Sequence, residues 1–262
     1  MVTFVPTPIG NLEDISKRAL KALENAEIVF CEDTRVTKKL LNLYNIPLNK
    51  TFISMHSHNE DKVIKNLNKD DLINKNCVYV SDAGMPGISD PGSKLIQFCQ
   101  KENIPYTVIP GANAALTAYV ASGFEGEFCF FGFLPHKGKE RTQKLLKILE
   151  NDKISILYES PHRIEKLINE LKEYAPERVI FLAKELTKVH ETFIKDKAKN
   201  INIPNTKGEW VVVIDRGNKT KKLELEYNDI LNLDLPLKEK SKLLAKISDK
   251  SPKEIYNELI KT

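Results

Sequence analysis

Nowhere in these 262 residues do about 18 uncharged apolar residues run together. The opening Met1-Val2-Thr3-Phe4-Val5-Pro6 likewise has no basic segment leading into a long apolar one. A membrane span and an export signal are therefore not expected, and a cytoplasmic location is. Cysteine is sparse: Cys31, Cys77, Cys99 and Cys129 are far apart in the chain and form no Cys-x-x-Cys pair. That pattern suggests neither a disulfide framework nor a thiolate metal site, and reduced core residues are expected. None of the five histidines has metal-ligand spacing with a second ligand, and His56-Ser57-His58 is too close-set for one helix face, so no metal is expected. An excess of one charge is missing too, since 40 basic residues meet 36 acidic ones. Any basic surface must be local. Where a dinucleotide-binding chain would carry three glycines after its first strand, Pro6-Thr7-Pro8-Ile9-Gly10-Asn11 has one, and no phosphate loop of the G-x-x-x-x-G-K-[ST] form occurs. A nucleoside polyphosphate is a poor expectation.

What the chain does have is Val80-Ser81-Asp82-Ala83-Gly84-Met85-Pro86-Gly87-Ile88-Ser89-Asp90-Pro91-Gly92, set directly on the apolar run Cys77-Val78-Tyr79-Val80. An isolated Asp-Pro-Gly is usually a surface turn. Thirteen residues of such composition read as a rigid floor for a ligand at the end of a strand, because glycine admits close approach and aspartate accepts from donors on a bound molecule.

Short apolar runs alternate with segments of helical period, which predicts α/β architecture. Strands are expected at 2–5, 28–31, 52–54, 77–81 and 106–109, with helices at 15–26, 57–73 and 92–101, giving a mostly parallel first sheet. A second series of strands is expected at 128–133, 154–159, 178–184 and 210–214, with helices near 139–150 and 161–174. Two α/β domains, 1–112 and 113–217, describe this pattern. Past residue 217 lysine, leucine, glutamate and asparagine take over, and 218–262 reads as a helical, helix-turn-helix-like tail. Its last helix should begin at Ser251-Pro252-Lys253-Glu254, with an N-cap serine, a first-turn proline and a glutamate three residues after the cap.

Strand ends carry the candidate chemistry. Cys31-Glu32-Asp33-Thr34-Arg35 puts three ionisable residues just past a strand, with Asp33 or Thr34 suited to cap the helix through Leu40 and Leu41. Ile109-Pro110-Gly111-Ala112-Asn113-Ala114-Ala115 reads as strand, turn and a helix of small residues whose backbone can lie against a ligand. Tyr158-Glu159-Ser160-Pro161-His162-Arg163 ends another strand with polar groups. In Lys184-Glu185, adjacent strand residues should point to opposite faces, leaving one free to face a cleft. Phe133-Leu134-Pro135-His136-Lys137-Gly138-Lys139-Glu140-Arg141 reads as a flexible basic loop with three cations for phosphate, although most charged loops are only solvated.

In order, VPTPIGNLEDIS (5–16), CEDTR (31–35), SDAGMPGISDPG (81–92), IPGANAAL (109–116), FFGFLP (130–135), LYESPHRI (157–164), LAKELTKVHE (182–191) and KGEW (207–210) resemble the tetrapyrrole-methylase family of S-adenosylmethionine-dependent methyltransferases. The resemblance is nearest to its ribosomal-RNA-modifying branch. Pro8-Ile9-Gly10 and Ser81-Asp82-Ala83 stand where the corrin and porphyrin enzymes usually have Gly-Pro-Gly and Gly-Asp-Pro, which favours that branch. The resemblance implies two α/β domains with the methyl donor in the cleft between them, a homodimer and no metal. By position it implies donor contacts from Ile9, Asp82, Met85, Asn113, Ala114, Tyr158 and Leu186.

The implied reaction is 2′-O-methylation of a cytidine in the decoding centre of 16S ribosomal RNA, free or in the small subunit, with S-adenosylmethionine as donor. Asp33, Glu159, Lys184 and Glu185 are candidates for steering the hydroxyl proton, and Arg35 or Arg163 for holding phosphate. The 133–141 loop and the lysine-rich tail would grip flanking RNA. Two other readings stay open: methylation of a corrin or porphyrin on the same scaffold, and a non-catalytic RNA-binding or ribosome-assembly protein. Donor binding separates the last from the enzymes.

Overall fold

Five short parallel strands form the first sheet, and their sequences explain their burial. The computed structural model describes residues 1–217 and 226–260. In chain order its first half runs β1 (Val2–Val5), α1 (Lys17–Glu24), β2 (Ile28–Cys31), α2 (Thr34–Leu43), β3 (Thr51–Ser54), α3 (Glu60–Lys65), α4 (Lys69–Asn74), β4 (Cys77–Val80), α5 (Ser93–Lys101) and β5 (Tyr106–Val108). The sheet order is β3-β2-β4-β1-β5, with every neighbouring pair parallel. β2 and β4, the runs Ile-Val-Phe-Cys and Cys-Val-Tyr-Val, are buried throughout, as strands covered on both faces must be. One face packs Phe4, Phe30, Tyr79, Leu95 and Cys99 together, the other Val5, Leu23, Val29, Leu41 and Ile109. From adjacent β1 and β4 the chain leaves in opposite directions, to β2 and to β5. Loops diverging at such a point leave a crevice at the carboxyl ends of the strands.

The second half runs α6 (Ala114–Ser122), β6 (Phe128–Phe133), α7 (Gly138–Leu149), β7 (Ile154–Glu159), α8 (Ile164–Tyr174), β8 (Val179–Lys184), β9 (Thr192–Lys197) and β10 (Trp210–Ile214). This sheet, β6-β7-β10-β8-β9, is parallel only between β6 and β7. α7 and α8 cover one face through Leu145, Ile148, Leu167 and Leu171. On the other face lies α6, whose buried Ala115, Ala118 and Ser122 let helix backbone approach the sheet closely. Ile9, from the loop after β1, and Leu186 join that same cluster. The loop of the first sheet thus ends in the core of the second.

The chain divides into two units, Met1–Gly217, which holds both sheets, and Asn218–Thr262. Within the second, α9 (Tyr227–Leu231), α10 (Leu237–Leu244) and α11 (Pro252–Leu259) close on Ile230, Leu244 and Ile255. α11 begins with the expected capping box between Ser251 and Glu254. Of the tail anticipated from 218, residues 218–225 and 261–262 lie outside those described.

Two local expectations need correction. The single helix expected over 57–73 is two, because the chain breaks at Asn66-Leu67-Asn68 and Asn68 Oδ1 caps α4 by accepting from the Asp70 N–H at 2.9 Å. β9 was not anticipated from the sequence; Thr-Phe-Ile-Lys-Asp-Lys is an edge strand, mostly exposed and too charged to show an apolar run.

Candidate active site

A cavity of about 370 Å³ opens among loops from both sheets. That volume lies within the range of small-molecule sites. Ile9 comes from the β1 loop, Ala83 to Met85 and Ile88 to Asp90 from the loop after β4, Asn113 and Ala114 from the start of α6. The second sheet contributes Phe133, Tyr158 to Pro161, Leu186 and Glu209 to Val211.

Local chemistry explains the rigidity of each wall. The β1 and β4 loops are clipped by a reciprocal pair, the Thr7 N–H to the Gly84 carbonyl and the Gly84 N–H to the Thr7 carbonyl, both at 3.0 Å. Thr7 Oγ1 donates to the Ser81 carbonyl at 3.2 Å, and Ser81 Oγ to the Gly84 carbonyl at 3.1 Å. Gly84, Gly87, Ser89 and Gly92 all have positive φ, which accounts for the glycine in this loop. Farther on, buried Glu60 accepts from the Gly92 N–H at 3.0 Å, fixing the end of the floor. Across the cavity, Asn113 Oδ1 caps α6 by accepting from the Leu116 N–H at 3.0 Å, and Tyr158 Oη accepts from the Ala115 N–H at 3.2 Å. Tyr158 also meets Phe130 and Phe133 edge-on, at centroid distances of 4.9 and 5.6 Å.

The wall carrying Leu186 is pressed against the first loop. A Cβ on Gly10 would stand 2.6 Å from the Leu186 carbonyl oxygen and 2.5 Å from Thr187 Oγ1, so only glycine fits there. The Asn11 N–H donates to the same Thr187 hydroxyl at 3.0 Å.

The residues expected at a donor site fall on this cavity in all but one case: Ile9, Met85, Asn113, Ala114, Tyr158 and Leu186 line it. Asp82 does not; its Oδ1 accepts from the Asp33 N–H at 3.2 Å and ties the loop after β2 to the loop after β4. Asp33 caps α2 and is clamped by Arg35, whose Nη2 lies 2.6 Å from Oδ2 while its side chain is 89% exposed. Arg35 holds the Asp33 carboxyl down at about 2, and neither residue lines the cavity.

Glu159 does line it, yet its side chain is sealed among cations. Oε1 meets Arg163 Nη2 at 2.9 Å and the Ser160 N–H at 2.9 Å, and Oε2 meets Arg141 Nη2 at 3.2 Å. Arg141 was expected in a flexible basic loop. It sits in α7 instead, 1% exposed, because Glu159 and Glu170 neutralise it, and it carries no charge to the surface for RNA. Arg163 is also committed, donating to Ser160 Oγ and the Leu134 carbonyl.

Lys184 and Glu185 do not follow strand alternation, since β8 stops at Lys184 and Glu185 turns to φ 52°. Lys184 Nζ lies over the Trp210 ring and donates to the Asn205 carbonyl. Glu185 Oε1 accepts from Lys188 Nζ at 2.9 Å and from the Glu209 N–H at 2.8 Å. Neither lines the cavity.

Asp90, by contrast, was not singled out from the sequence. It faces the cavity, and burial together with Glu32 and Asp82 pushes its carboxyl up to about 7. Two aspartates in one loop were the available signal, but nothing in their order says which faces inward. Burial raises Glu32, Asp82 and the Tyr158 hydroxyl as well. No lysine, arginine or histidine lines this cavity among the described residues. A lining without a cationic side chain, with Asp90 unpaired beside Phe133, Tyr158 and Trp210, suits a ligand that brings positive charge. No helix among the described residues is long and apolar enough to cross a membrane.

The chain as a whole has relatives among known proteins. The family model "Tetrapyrrole (Corrin/Porphyrin) Methylases" matches residues 1–202. The chain is 48% identical over 270 residues to "Ribosomal RNA small subunit methyltransferase I" of Campylobacter fetus, covering 99% of this chain and 100% of that one. It is 42% identical to the protein of the same name from Helicobacter pylori, over 98% of this chain and 96% of the other. Among solved structures, uroporphyrin-III C-methyl transferase from Thermus thermophilus complexed with S-adenyl homocysteine superposes with a TM-score of 0.56 at 15% identity. That match covers 82% of this chain and 96% of the other.

Proposed function

From a chain that belongs to the tetrapyrrole methylase family, we infer a methyltransferase that uses S-adenosylmethionine to methylate a ribose 2′-hydroxyl of small-subunit ribosomal RNA. The observation that carries the reading is 48% identity along 99% of the chain to a protein named for that RNA. The cavity supports it chemically. Its volume and its aromatic, cation-free lining suit a sulfonium donor, with Ile9, Met85, Asn113, Ala114, Tyr158 and Leu186 as the residues that would hold it. When bound, that donor supplies an electrophilic methyl group.

The chain's own residues would act by alignment and exclusion of water, with effective molarity as the main source of rate. The clipped loops after β1 and β4 hold one side of the ligand, and Tyr158 and Asn113 fix the other. Seven lysines against four acidic residues over 236–262 offer phosphate contacts for flanking RNA. A cytidine of the decoding centre as target, a homodimer and a cytoplasmic location complete the reading.

Transfer of labelled methyl from S-adenosylmethionine to small ribosomal subunits lacking the modification is the test, run beside naked 16S RNA and a tetrapyrrole precursor. Label in the ribosomal RNA at a ribose is the expected result. Label only in the tetrapyrrole, or RNA binding without any donor binding, would overturn the reading.

A further inference from the structure

Three carboxylates line the cavity, those of Glu159, Glu209 and Asp90. Taking a proton from a substrate hydroxyl requires a lone pair within hydrogen-bond reach that is not already committed. Both oxygens of Glu159 are engaged by Arg163, Ser160 and Arg141. Glu209 pairs with Lys188 at 3.0 Å, and its side chain is 75% exposed. Beyond the cavity, Asp33 is clamped by Arg35, Glu185 by Lys188, and Lys184 by the Asn205 carbonyl. Asp90 stands apart: among the described residues it has no hydrogen-bond or ion-pair partner.

Its placement is enforced by the backbone. Ser89 before it has φ 64°, Pro91 follows it, and Gly92 at φ 126° donates to buried Glu60. A Cβ on Gly92 would stand 2.9 Å from Tyr79 Cε1, so the turn is closed down on the core beneath it. So tight a turn fixes the direction in which the Asp90 side chain leaves the backbone.

We propose that the Asp90 carboxylate is the general base of the transfer, accepting the proton of the hydroxyl that attacks the methyl group. The proposal rests on the reading of this cavity as a methyl-transfer site. The hydroxyl oxygen forms its bond to the methyl carbon as the carbon–sulfur bond breaks. The electron pair of that bond stays on sulfur, leaving a neutral thioether, and the proton passes to Asp90.

The groups facing Asp90 are Glu32 from the end of β2, Asp82 and Tyr79 from β4 and its loop, and Tyr158 from β7. None is cationic, and burial together with the charges of Glu32 and Asp82 holds the carboxyl at about 7 in the free protein. A sulfonium nearby opposes that field and favours the charged, proton-accepting form.

The experiment compares the unmodified protein with Asp90→Asn and Asp90→Glu. Donor affinity is read by calorimetry, single-turnover transfer to small ribosomal subunits as a function of pH, and carboxyl titration in the free protein by carbon-13 NMR. Asp90→Asn should bind donor more weakly, since it loses a carboxylate that attracts the sulfonium, and at saturating donor it should still transfer about 10²- to 10⁴-fold more slowly, the range of general-base contributions. A carboxyl titrating near 7 should be missing from its spectrum, and Asp90→Glu should recover part of the rate. A variant Asp90→Asn that transfers within tenfold of the unmodified protein overturns the proposal, as does a defect that disappears at saturating donor. Absence of transfer by the unmodified protein sinks the functional reading and this inference together; transfer by it with an unimpaired Asp90→Asn sinks the inference alone.

Discussion

Arg141 Nη2 lies 3.2 Å from Glu159 Oε2, with the two side chains 1% and 0% exposed. Glu170 takes the Arg141 Nε at 3.0 Å, and Arg141 Nη1 donates to the Pro135 carbonyl at 3.2 Å, so one buried guanidinium joins α7, the end of β7, α8 and the loop after β6. Arg163 adds a bond to the Leu134 carbonyl at 3.2 Å. The network holds in place two of the strand ends that wall the cavity.

Removing the guanidinium while keeping bulk, as in Arg141→Met, leaves buried carboxylate without its counter-charge. Such a break costs about 3–5 kcal/mol, and since Arg163 still covers Glu159 the lower end is expected. Urea unfolding with an unchanged slope is the measurement. A loss below about 1 kcal/mol would mean that the network contributes little.

Gly10→Ala drives a methyl group into the Leu186 carbonyl, and neither backbone can yield without moving a wall of the cavity. Donor affinity by calorimetry should fall at least tenfold, a change of about 1.4 kcal/mol. Unchanged affinity would show that the two loops separate freely.

Asp82 offers a sharper contrast, because its oxygen serves the Asp33 N–H rather than the cavity. Asp82→Asn keeps an acceptor and should retain donor affinity within about threefold, whereas Asp82→Ala leaves the N–H unpaired and should lower stability by about 1–3 kcal/mol. If Asp82→Asn abolishes donor binding while the protein stays folded, the side chain touches the ligand after all.

The raised carboxyl of Asp90 has a signature in stability as well. Its ordinary value is 3.8 and its folded value about 7, so between those limits the folded state binds the extra proton. Stability is therefore full below about 4, falls as pH rises towards 7, and levels off above. Asp90→Asn should flatten that part of the profile measured by urea unfolding of the free protein. An identical slope in both would place the titration elsewhere.

The strand runs of both sheets except β9 were legible because their residues are apolar and β-branched, and the α11 start because Ser251 caps it. The wall loops were legible from their position at strand ends, whereas the individual residues within them came from the family resemblance. Side-chain commitments were not. Glu159 and Arg141 are eighteen positions apart, and nothing local says that one neutralises the other. Lys184 and Glu185 read as strand neighbours until the turn at Glu185 is seen, and Asp82 and Asp90 share one loop but face different partners. Periodicity reports which face a residue occupies, whereas charge pairing depends on contacts made across the fold.

The interlock of Gly10 with Leu186 and Thr187 spans 176 positions, and Trp210 and Val211 close the cavity later still. All five strands of the first sheet have been made once residue 108 leaves the ribosome. The chain has no ligand chamber until the last strand of the second sheet has been made. Truncation ahead of Trp210 would thus remove one wall of the chamber and leave the chain blind to the ligand.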